Sequence, residues 1–545
     1  MMSRIITIFL AIGTLCGNDM SQTHQPFLIQ FDKPLYAAGE TVWFALFRTD
    51  SGFYQKAQEV VHFELISPQN IKVIQGKVPL NERLAHGYFM LPTSLDEGYY
   101  RFRAYTLQSL RDSGYYLSSD IPVYSEWKEN LTVYKYEDPG ADAVDNGAKA
   151  QLDKKKKFFA RRDTAEYSDL ISNPGSLQYA FWVLPKEFEK FTPIQFQSKK
   201  TLNTIEINSD IEKEDSLYFE AYLSETKTEK GVTSPLISIY SGQNKRFYRS
   251  RATDGKFSLK LPYYEVKTTL QVFNLNPYQN AVNNLSVSQF SISEGYFNLT
   301  KPPMTKDIAE YLIKTKRRRK VSDLFSIDQS HAPVLSPDSS LPVPDKVYKM
   351  SDYRYINTLE EFIFEAIPSA RVKTQEDGSK TVRLFDTERG EMFMDRPWYI
   401  VDGYLTSREE EVLKIPFNDI DEIRLYVRTN TIKKYFEYFL WRNGILEVIT
   451  KDIKYLRSLK SDPNYVDFEG FIPEMNFLES LNGTDDPDIP DFRTTLFWET
   501  GKIEKGKSLD ISFPLSDDTG RFVYYLLSVS GSGEVVTRKG EFEVR

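Results

Sequence analysis

The chain has 545 residues, too many for one hydrophobic core, and this length predicts about three to five domains. Hydrophobic residues make up 41% and aromatic residues 14% of the chain, and the many tyrosines and phenylalanines favour strands. The net charge of −8 excludes a general electrostatic attraction to nucleic acid or to anionic membranes as the basis of function.

The first residues are typical of a secretory signal. Arg4 precedes the apolar run Ile5–Ile12, which is followed by small residues at Gly13–Gly17. A run of this length is too short to span a bilayer stably, so we predict a signal peptide over residues 1–24. A strand of the first domain is the alternative reading, but the polar stretch Asn18–Gln25 separates the run from the next apolar segment.

Cys16 is the only cysteine. It stands where the lipobox of a bacterial lipoprotein would end, which makes it a candidate lipidation site. Leu15 occupies the position where such signals usually carry Gly, Ala or Ser, so the alternative is that Cys16 is discarded with the signal. In both cases the mature domains have no disulfide and no thiolate site, which in a secreted protein of this size indicates a bacterial envelope. No later segment is apolar enough to predict a transmembrane helix.

Residues 25–127 alternate apolar and polar side chains as half-buried strands do. Strands this short, punctuated by Gly and Pro, predict a β-sandwich. The predicted strands are Phe27–Phe31, Thr41–Phe47, Val60–Ile66, Ile71–Val78, Gly87–Leu91 and Tyr99–Leu107.

Residues 128–170 break this pattern, because they contain little apolar material and the basic runs Lys154–Lys157 and Arg161–Arg162. Such a run could bind phosphate or anionic lipid. Since no aromatic platform or glycine loop accompanies it, we predict a charged, solvated linker.

Residues 171–300 return to strand patterns and predict one or two further β-sandwich domains. Residues 301–350 then contain the basic run Lys316–Lys320 and the prolines 333, 337, 342 and 344. Because proline extends the chain and is excluded from sheet interiors, we predict a second, basic and Pro-rich linker here.

Residues 351–470 predict an α+β domain. A helix follows Thr358, which serves as N-cap with Glu361 completing a capping box, and Pro368 closes it. The other predicted elements are strands at Thr381–Phe385, Trp398–Val401, Ile420–Val427 and Gly444–Thr450 and a helix at Thr431–Trp441. Beyond an acidic stretch, residues 485–545 are β-like again.

The first predicted sandwich carries a compact turn motif. Its members are Asp32, Pro34, Tyr36, Gly39 and Glu40. Proline starts a tight turn, glycine permits the following bend, and the tyrosine wedges the sandwich edge. With the segment 98–105, this motif resembles the second macroglobulin domain of the α2-macroglobulin family. The segment 485–545 is similar to a later macroglobulin-type domain, through the stretches 491–498 and 516–520.

A second resemblance lies in the α+β domain. The segments 396–403, 418–423 and 444–451 resemble, in order and spacing, strands of the plug domain of TonB-dependent outer-membrane receptors. The resemblance implies that Asp402 caps a turn and that Gly403 takes a positive φ. Trp398 and Tyr399 alternate in direction, so one ring would point toward the surface that a barrel normally covers and is a candidate partner-binding anchor. The alternative is that both rings fill the domain's own core.

The predicted fold class is therefore mainly β: tandem macroglobulin-like or Ig-like β-sandwiches plus one α+β plug-like domain. The combination is one associated with outer-membrane proteins of the Bacteroidota. The chain lacks the parts by which both of these families act. An α2-macroglobulin traps proteases with a Cys–Gly–Glu–Gln thioester, which a chain with Cys16 alone cannot form, and we expect no receptor barrel in the residues that follow Lys451.

No grouping of residues predicts catalysis. The four histidines, at 24, 62, 86 and 331, have no metal-ligand spacing, and neither a Gly-x-Ser-x-Gly elbow nor a P-loop occurs. The acidic pair Asp517–Asp518 and the stretch 485–488 could bind calcium, but solvated turns explain them better. We predict no catalytic residue, metal or cofactor, and hence no enzyme.

The sequence thus favours a non-enzymatic envelope protein at the outer membrane, periplasmic or on the cell surface. Its predicted partner is a protein, an outer-membrane barrel complex in nutrient uptake or protein export, and nucleic acid is not expected. The alternative is a thioester-less, α2-macroglobulin-like protein that binds or inhibits proteases. A third possibility is direct recognition of a glycan or peptide by exposed tyrosines.

Overall fold

A computed structural model of the chain divides into two compact units. Unit 1 comprises Met1–Ser216, Ser291–Pro333 and Phe471–Arg545, and unit 2 comprises Leu217–Phe290 and Val334–Gly470. The predicted signal, Cys16, His24, His331 and Lys154–Lys157 lie outside the described residues. The structure describes residues 27–49, 59–112, 115–125, 158–169, 176–191, 193–194, 196–200, 217–226, 228–242, 245–261, 267–275, 283–287, 301–325, 341–353, 355–375, 380–451, 465–481 and 488–545.

The elements follow in chain order. Unit 1 begins with strands Phe27–Phe31 (β1), Tyr36–Ala37 (β2), Thr41–Arg48 (β3), Glu59–Ile66 (β4), Lys72–Leu80 (β5), Leu84–Met90 (β6), Gly98–Tyr105 (β7), helix Leu107–Asp112 (α1), and strands Tyr115–Tyr124 (β8), Phe158–Phe159 (β9), Thr164–Asp169 (β10), Leu177–Pro185 (β11) and Phe196–Lys200 (β12). Unit 2 begins with Leu217–Glu225 (β13), Ser234–Ser241 (β14), Arg246–Ala252 (β15), Lys256–Leu261 (β16), Lys267–Asn274 (β17) and Asn283–Val287 (β18). Helix Lys306–Leu324 (α2) belongs to unit 1.

The chain then re-enters unit 2. Its elements are strand Lys346–Lys349 (β19), helix Leu359–Ala366 (α3), strands Ala370–Thr374 (β20), Lys380–Asp386 (β21), Glu391–Met392 (β22), Trp398–Val401 (β23) and Tyr404–Thr406 (β24), helix Glu409–Leu413 (α4), strand Ile420–Tyr426 (β25), helix Thr429–Tyr435 (α5), and strands Ile445–Thr450 (β26) and Tyr465–Glu469 (β27). Unit 1 ends with Phe497–Ile503 (β28), Leu509–Pro514 (β29), Gly520–Ser530 (β30) and Val535–Val544 (β31). Short 3₁₀ helices occur at Lys186–Lys190, Met350–Asp352, Phe417–Asp419 and Tyr438–Leu440. The predicted mainly β class is confirmed.

The first sandwich of unit 1 places the sheet β1-β3-β6 against the sheet β12-β8-β7-β4-β5, with β2 added to β8. Alternation along β7 sets its two faces: Phe102 and Ala104 are fully buried in the core between the sheets, whereas Arg101 and Arg103 point the other way. Arg101 pairs with Asp120 of the neighbouring strand at 2.8 Å. The core is rich in phenylalanine, including an edge-to-face pair of Phe44 and Phe63 at 5.2 Å.

The second sandwich of unit 1 is assembled from distant parts of the sequence. Strand β11 lies between β28 and β30 in the sheet β28-β11-β30-β31-β9, and β10 pairs with β29 in a two-stranded sheet that shares the same core. Strand β3 is buried on both faces: Phe44 faces the first core and Trp43 faces the second. Unit 1 therefore has two sandwiches that pack together through β3.

The structure differs from the predicted domain boundaries because these pairings are not local. The segment predicted as one or two sandwiches over 171–300 is divided between β11 and β12 in unit 1 and β13–β18 in unit 2. Residues 158–169 of the predicted first linker form β9 and β10, which pair with C-terminal strands. The predicted linker over 301–350 contains α2, whose Ile308, Tyr311 and Leu312 are buried in the second core. Apolar residues at this spacing share one face of a helix, and that face is buried here. The basic run Lys316–Lys320 lies in the C-terminal half of the same helix.

Unit 2 combines two further sheets with an α+β part. The sheets β16-β13-β18 and β15-β14-β17-β27 contact each other through Phe219 and Phe468, at 5.9 Å between ring centroids. The α+β part is the mixed sheet β19-β25-β26-β23-β24, in which β23 and β26 are parallel, together with the hairpin sheet β20-β21-β22 and α3–α5. The predicted helix over 431–441 is replaced by α5 and a separate 3₁₀ turn, Tyr438–Leu440.

Candidate functional site

The turn motif of the first sandwich forms a buried polar cluster in unit 1. Asp32 is 1% exposed, and it accepts hydrogen bonds from the Tyr36 hydroxyl at 2.7 Å and the Trp43 backbone N–H at 3.0 Å. Its second carboxylate oxygen accepts from the hydroxyl of Thr495. Burial raises the pKa of Asp32, and the neighbouring Lys33 opposes this shift. Asp32 thus links the loop before β3 to the segment before β28. Pro34, half-buried, lies in this same loop.

The second half of the motif contacts α2. Glu40 accepts from the Ala37 backbone N–H at 2.9 Å, pairs with Lys33 at 3.1 Å and accepts from the Tyr311 hydroxyl. Gly39 has a φ of +87°, and a Cβ there would lie 2.7 Å from the Arg319 guanidinium. The positive φ therefore favours glycine at position 39, and the Arg319 side chain would have to shift to admit a Cβ there.

An arginine–aspartate network continues from this cluster. Arg493, buried, makes two hydrogen bonds to Asp491 at 2.9 and 2.7 Å, and Arg162 pairs with Asp517 at 2.6 Å. Asp518 accepts from Arg318 of α2 at 2.7 Å.

These contacts overturn two sequence interpretations. Arg162 is not part of a solvated linker, because it is paired with Asp517. The carboxylates of Asp517 and Asp518 are partly exposed but are paired with Arg162 and Arg318, so they form neither the freely solvated turn that the sequence favours nor a cation site. Since these groups have partners within the unit, the motif residues have a structural role: they hold α2 and both sandwiches together.

The plug-like segment forms a tight hairpin in unit 2. Val401 pairs with Tyr404, so Asp402 and Gly403 are the two central residues of the turn, with φ of 48° and 86°. Positive φ at both positions is the type I′ geometry that Asp-Gly favours. The Asp402 carboxylate accepts from the backbone N–H of Thr450 at 2.8 Å and from its hydroxyl at 2.6 Å, which fastens the turn to the end of β26. The predicted positive φ at Gly403 is thus present in the structure.

Trp398 and Tyr399 point in opposite directions from β23. Tyr399 is fully buried, and its hydroxyl donates to Glu409 at 2.6 Å; burial and the Glu409 carboxylate raise the pKa of Tyr399. Trp398 is half-buried and packs edge-to-face against Phe273 of β17 at 6.1 Å and Phe439 at 5.3 Å. Both rings are engaged within unit 2, so neither is a free surface anchor here. A role for them in partner binding stays a prediction.

The described histidines are structural neighbours of other side chains. His62 stacks on Tyr105 at 5.4 Å, and His86 lies 3.8 Å from Glu474, with burial lowering the pKa of His86. In the part of the chain that the structure describes, no group of three or more His, Cys, Asp or Glu side chains could hold a metal ion. Within the same residues, no helix has the length and apolar character needed to cross a membrane.

A surface that the sequence analysis missed lies on unit 2 and is named here the aromatic–basic segment, residues 433–442. Its aromatic members Tyr435, Tyr438 and Trp441 are 42%, 41% and 36% exposed. Lys434 lies 5.0 Å from the Tyr435 ring centroid and Lys433 lies 5.9 Å from that of Trp441. The sequence carries a signal for this surface, because three aromatic residues recur at every third position beside two lysines.

Buried side chains within and next to the aromatic–basic segment fix its backbone. Ile432, Phe436 and Leu440 alternate with the exposed residues and are buried in the core of the α+β part. The Trp441 indole N–H donates to the Phe436 carbonyl at 3.0 Å. The exposed rings therefore project from fixed backbone positions, and little conformational freedom remains to be lost on binding.

The chain matches known proteins in the comparison with solved structures and in no other comparison. No family model matches the chain, and no curated protein matches it. Among solved structures, the chain is similar to the native Escherichia coli alpha-2-macroglobulin at 9% identity, with a TM-score of 0.25, over 95% of this chain and 40% of that one. The elastase-activated form of that protein matches at 9% identity and a TM-score of 0.24, over 95% of this chain and 43% of that one. Salmonella alpha-2-macroglobulin reacted with methylamine matches at 10% identity with a TM-score of 0.24, over 95% of this chain and 39% of that one. The chain thus spans about two fifths of the length of these bacterial proteins.

Proposed function

We propose that the chain is a non-enzymatic binding and assembly protein of the bacterial cell envelope, which docks to an outer-membrane protein complex through the aromatic–basic segment. The observation that supports this proposal is the exposure of Tyr435, Tyr438 and Trp441 on one short, well-anchored stretch. Tyr, Trp and Arg are the residues most enriched at energetic centres of protein interfaces, where truncation of one commonly costs about 2 kcal/mol or more.

The charges of the segment define the chemistry of the partner. Lys433 and Lys434 are exposed, and none of the described acidic side chains forms an ion pair with them. Arg442, by contrast, already pairs with Asp395 at 3.1 Å. Two unpaired cations beside aromatic rings fit a partner surface that supplies carboxylates around apolar pockets, because complementary charge increases the association rate and selects the partner.

Placement at the outer membrane belongs to the same proposal. A signal peptide over residues 1–24 would export the chain, and lipidation of Cys16 would retain it at the membrane, where nutrient uptake or protein export is the process served. Intact mass of the protein from membranes tests this step. Retention of Ile5–Ile12 in the mature chain would contradict export, and release of a Cys16→Ala variant from membranes would establish the anchor.

Site-specific photocrosslinking in the native envelope tests the docking itself. A photoreactive phenylalanine analogue is placed at Tyr438, and at Phe364 as a matched control, since Phe364 is also exposed, at 67%, on the α+β part. We expect an outer-membrane protein to crosslink at position 438 but not at 364, and we expect Lys433→Glu with Lys434→Glu to reduce the adduct about tenfold. Equal adducts at both positions, or none, would contradict the proposal. Noncovalent inhibition of a protease without any outer-membrane adduct would favour the protease-binding alternative.

A further inference from the structure

One face of helix α2 in unit 1 is exposed, beginning with the paired Lys306 and Glu310, and its C-terminal part is named here the α2 stripe: Ile313, Arg317, Lys320 and Leu324. The spacing of four, three and four residues places these side chains on one side of a helix. Ile313 is 43% exposed and Leu324 is 81% exposed, while Arg317 and Lys320 are also exposed. The stripe thus has two cations between two aliphatic ends, and Phe325, 46% exposed, follows directly.

The opposite face fixes the helix in place. Ile308, Tyr311 and Leu312 are buried in the second core, and Arg318 donates to Asp518 at 2.7 Å. Arg319 donates to the backbone carbonyl of Ala38 at 3.0 Å. These contacts determine which side of α2 faces outward, so the stripe is a rigid feature of unit 1.

The cations of α2 fall into two groups, those with an ion pair and those without. Lys314 pairs with Glu187 at 2.9 Å, and Lys306 lies 3.9 Å from Glu310. Lys316, Arg317 and Lys320 form no ion pair with the acidic side chains that the structure describes, a set that does not include the side chain of Asp323. A cationic row that the protein itself leaves unneutralised is the local condition for binding an anionic surface, although the whole chain has a net charge of −8. Screening beyond about 10 Å makes the nearby charges decisive.

We propose that the α2 stripe lies against an anionic lipid surface, with Arg317 and Lys320 at the headgroups and Leu324 inserted at the acyl boundary. Cations beside exposed aliphatic side chains supply the two contributions by which a protein surface attaches to anionic lipid, whereas the apolar face of α2 itself is buried in the second core. The stripe has one arginine but no tyrosine or tryptophan, the two other residues most enriched at the energetic centres of protein interfaces, so we commit to lipid rather than protein as its occupant. This contact is independent of the docking proposed for unit 2.

Vesicle co-sedimentation of the full chain tests the proposal. All proteins carry Cys16→Ala, so that no acyl chain contributes, and the vesicles are phosphatidylcholine with or without phosphatidylglycerol. We expect binding only to the anionic vesicles, weakened by salt. The double variant Arg317→Glu with Lys320→Glu should bind about tenfold or more weakly, and Leu324→Ser should bind several-fold more weakly, because basic residues and inserted apolar groups both contribute.

A charge-matched control separates local from general electrostatics. The double variant Lys380→Glu with Arg408→Glu changes the net charge by the same amount on unit 2, at two exposed cations that already pair with Glu360 and Glu411, and should bind the vesicles as the parent does. Far-ultraviolet circular dichroism verifies that each variant is folded, which the exposure of the substituted side chains favours. Equal binding to both vesicle types, absence of binding to anionic vesicles, or equal loss in the stripe and control variants would overturn the proposal.

Discussion

Replacing Arg493 by Met should destabilise unit 1 strongly. The guanidinium makes two hydrogen bonds to Asp491 and also donates to the carbonyl of Leu496 at 2.9 Å and to that of Pro514 at 3.2 Å. Removing one partner of a buried pair commonly costs about 3–5 kcal/mol, because the other charge stays buried without compensation. Arg162 still lowers the pKa of Asp491 in the variant. We therefore expect the loss in the free energy of unfolding to be at the lower end of that range, about 3 kcal/mol.

The loss should depend on pH in a definite direction. Burial raises the pKa of Asp491, and Arg493 is the first influence that opposes the rise. Without Arg493 the folded-state pKa rises further above the unfolded value, so the folded state binds the proton more tightly. Stability of the variant should therefore increase as the pH falls through this raised pKa, and decrease as the pH rises through it. The double variant Asp491→Asn with Arg493→Met should show a smaller, pH-independent deficit.

Hydrogen exchange followed by mass spectrometry under increasing urea can measure the effect on β28 and β30 separately from unit 2. Lys502→Met is the matched control, because Lys502 forms an exposed pair with Glu82 at 2.6 Å and such pairs contribute about 0–1 kcal/mol. A deficit for Arg493→Met no larger than that of the control, or one that does not change with pH, would refute the reasoning.

Three further predictions concern other sites. Gly403→Val should destabilise unit 2 by about 2 kcal/mol or more, since φ is +86° and a Cβ would lie 2.6 Å from the Gly242 carbonyl oxygen; thermal unfolding measures it. Thr358→Ala should cost about 1 kcal/mol by removing the acceptor for the Glu361 backbone N–H at 3.1 Å, and Thr358→Ser should restore it. The protein should form no covalent complex with a protease that survives boiling in detergent, because no cysteine thioester can be present beyond residue 16.

The features that the sequence predicted well are those determined by residues close together in the chain. The alternation of Phe102 and Arg103 fixed the faces of β7, and the two positive φ values at Asp402 and Gly403 follow from the turn chemistry of Asp-Gly. The N-cap at Thr358 was also predicted, although the Glu361 carboxylate accepts from the backbone N–H of Asn357, one residue before the cap.

The features that sequence missed depend on partners far away in the chain. Nothing near β11 indicates that its neighbours are β28 and β30, because strand patterns define faces but not pairing partners. Helix α2 was not predicted, because the basic run Lys316–Lys320 is typical of a solvated linker. Its apolar residues Ile308, Tyr311 and Leu312 precede that run at helical spacing and are buried. The aromatic–basic segment was missed because exposure of Tyr438 and Trp441 is decided by tertiary packing.

The position of β11 has a consequence for how the chain reaches this state. Tyr179 of β11 donates to Glu499 of β28 at 2.5 Å, across a sequence separation of 320 residues. Both edges of β11 are paired only with strands from the far end of the chain, so the sandwich cannot close until those strands arrive. Such long-range pairing slows folding, and a strand that waits with two free edges can pair with the same strand of another molecule. Unit 1 should therefore be the slow-folding, chaperone-dependent part of the protein, and loss of β28–β31 should produce aggregation rather than a shortened sandwich.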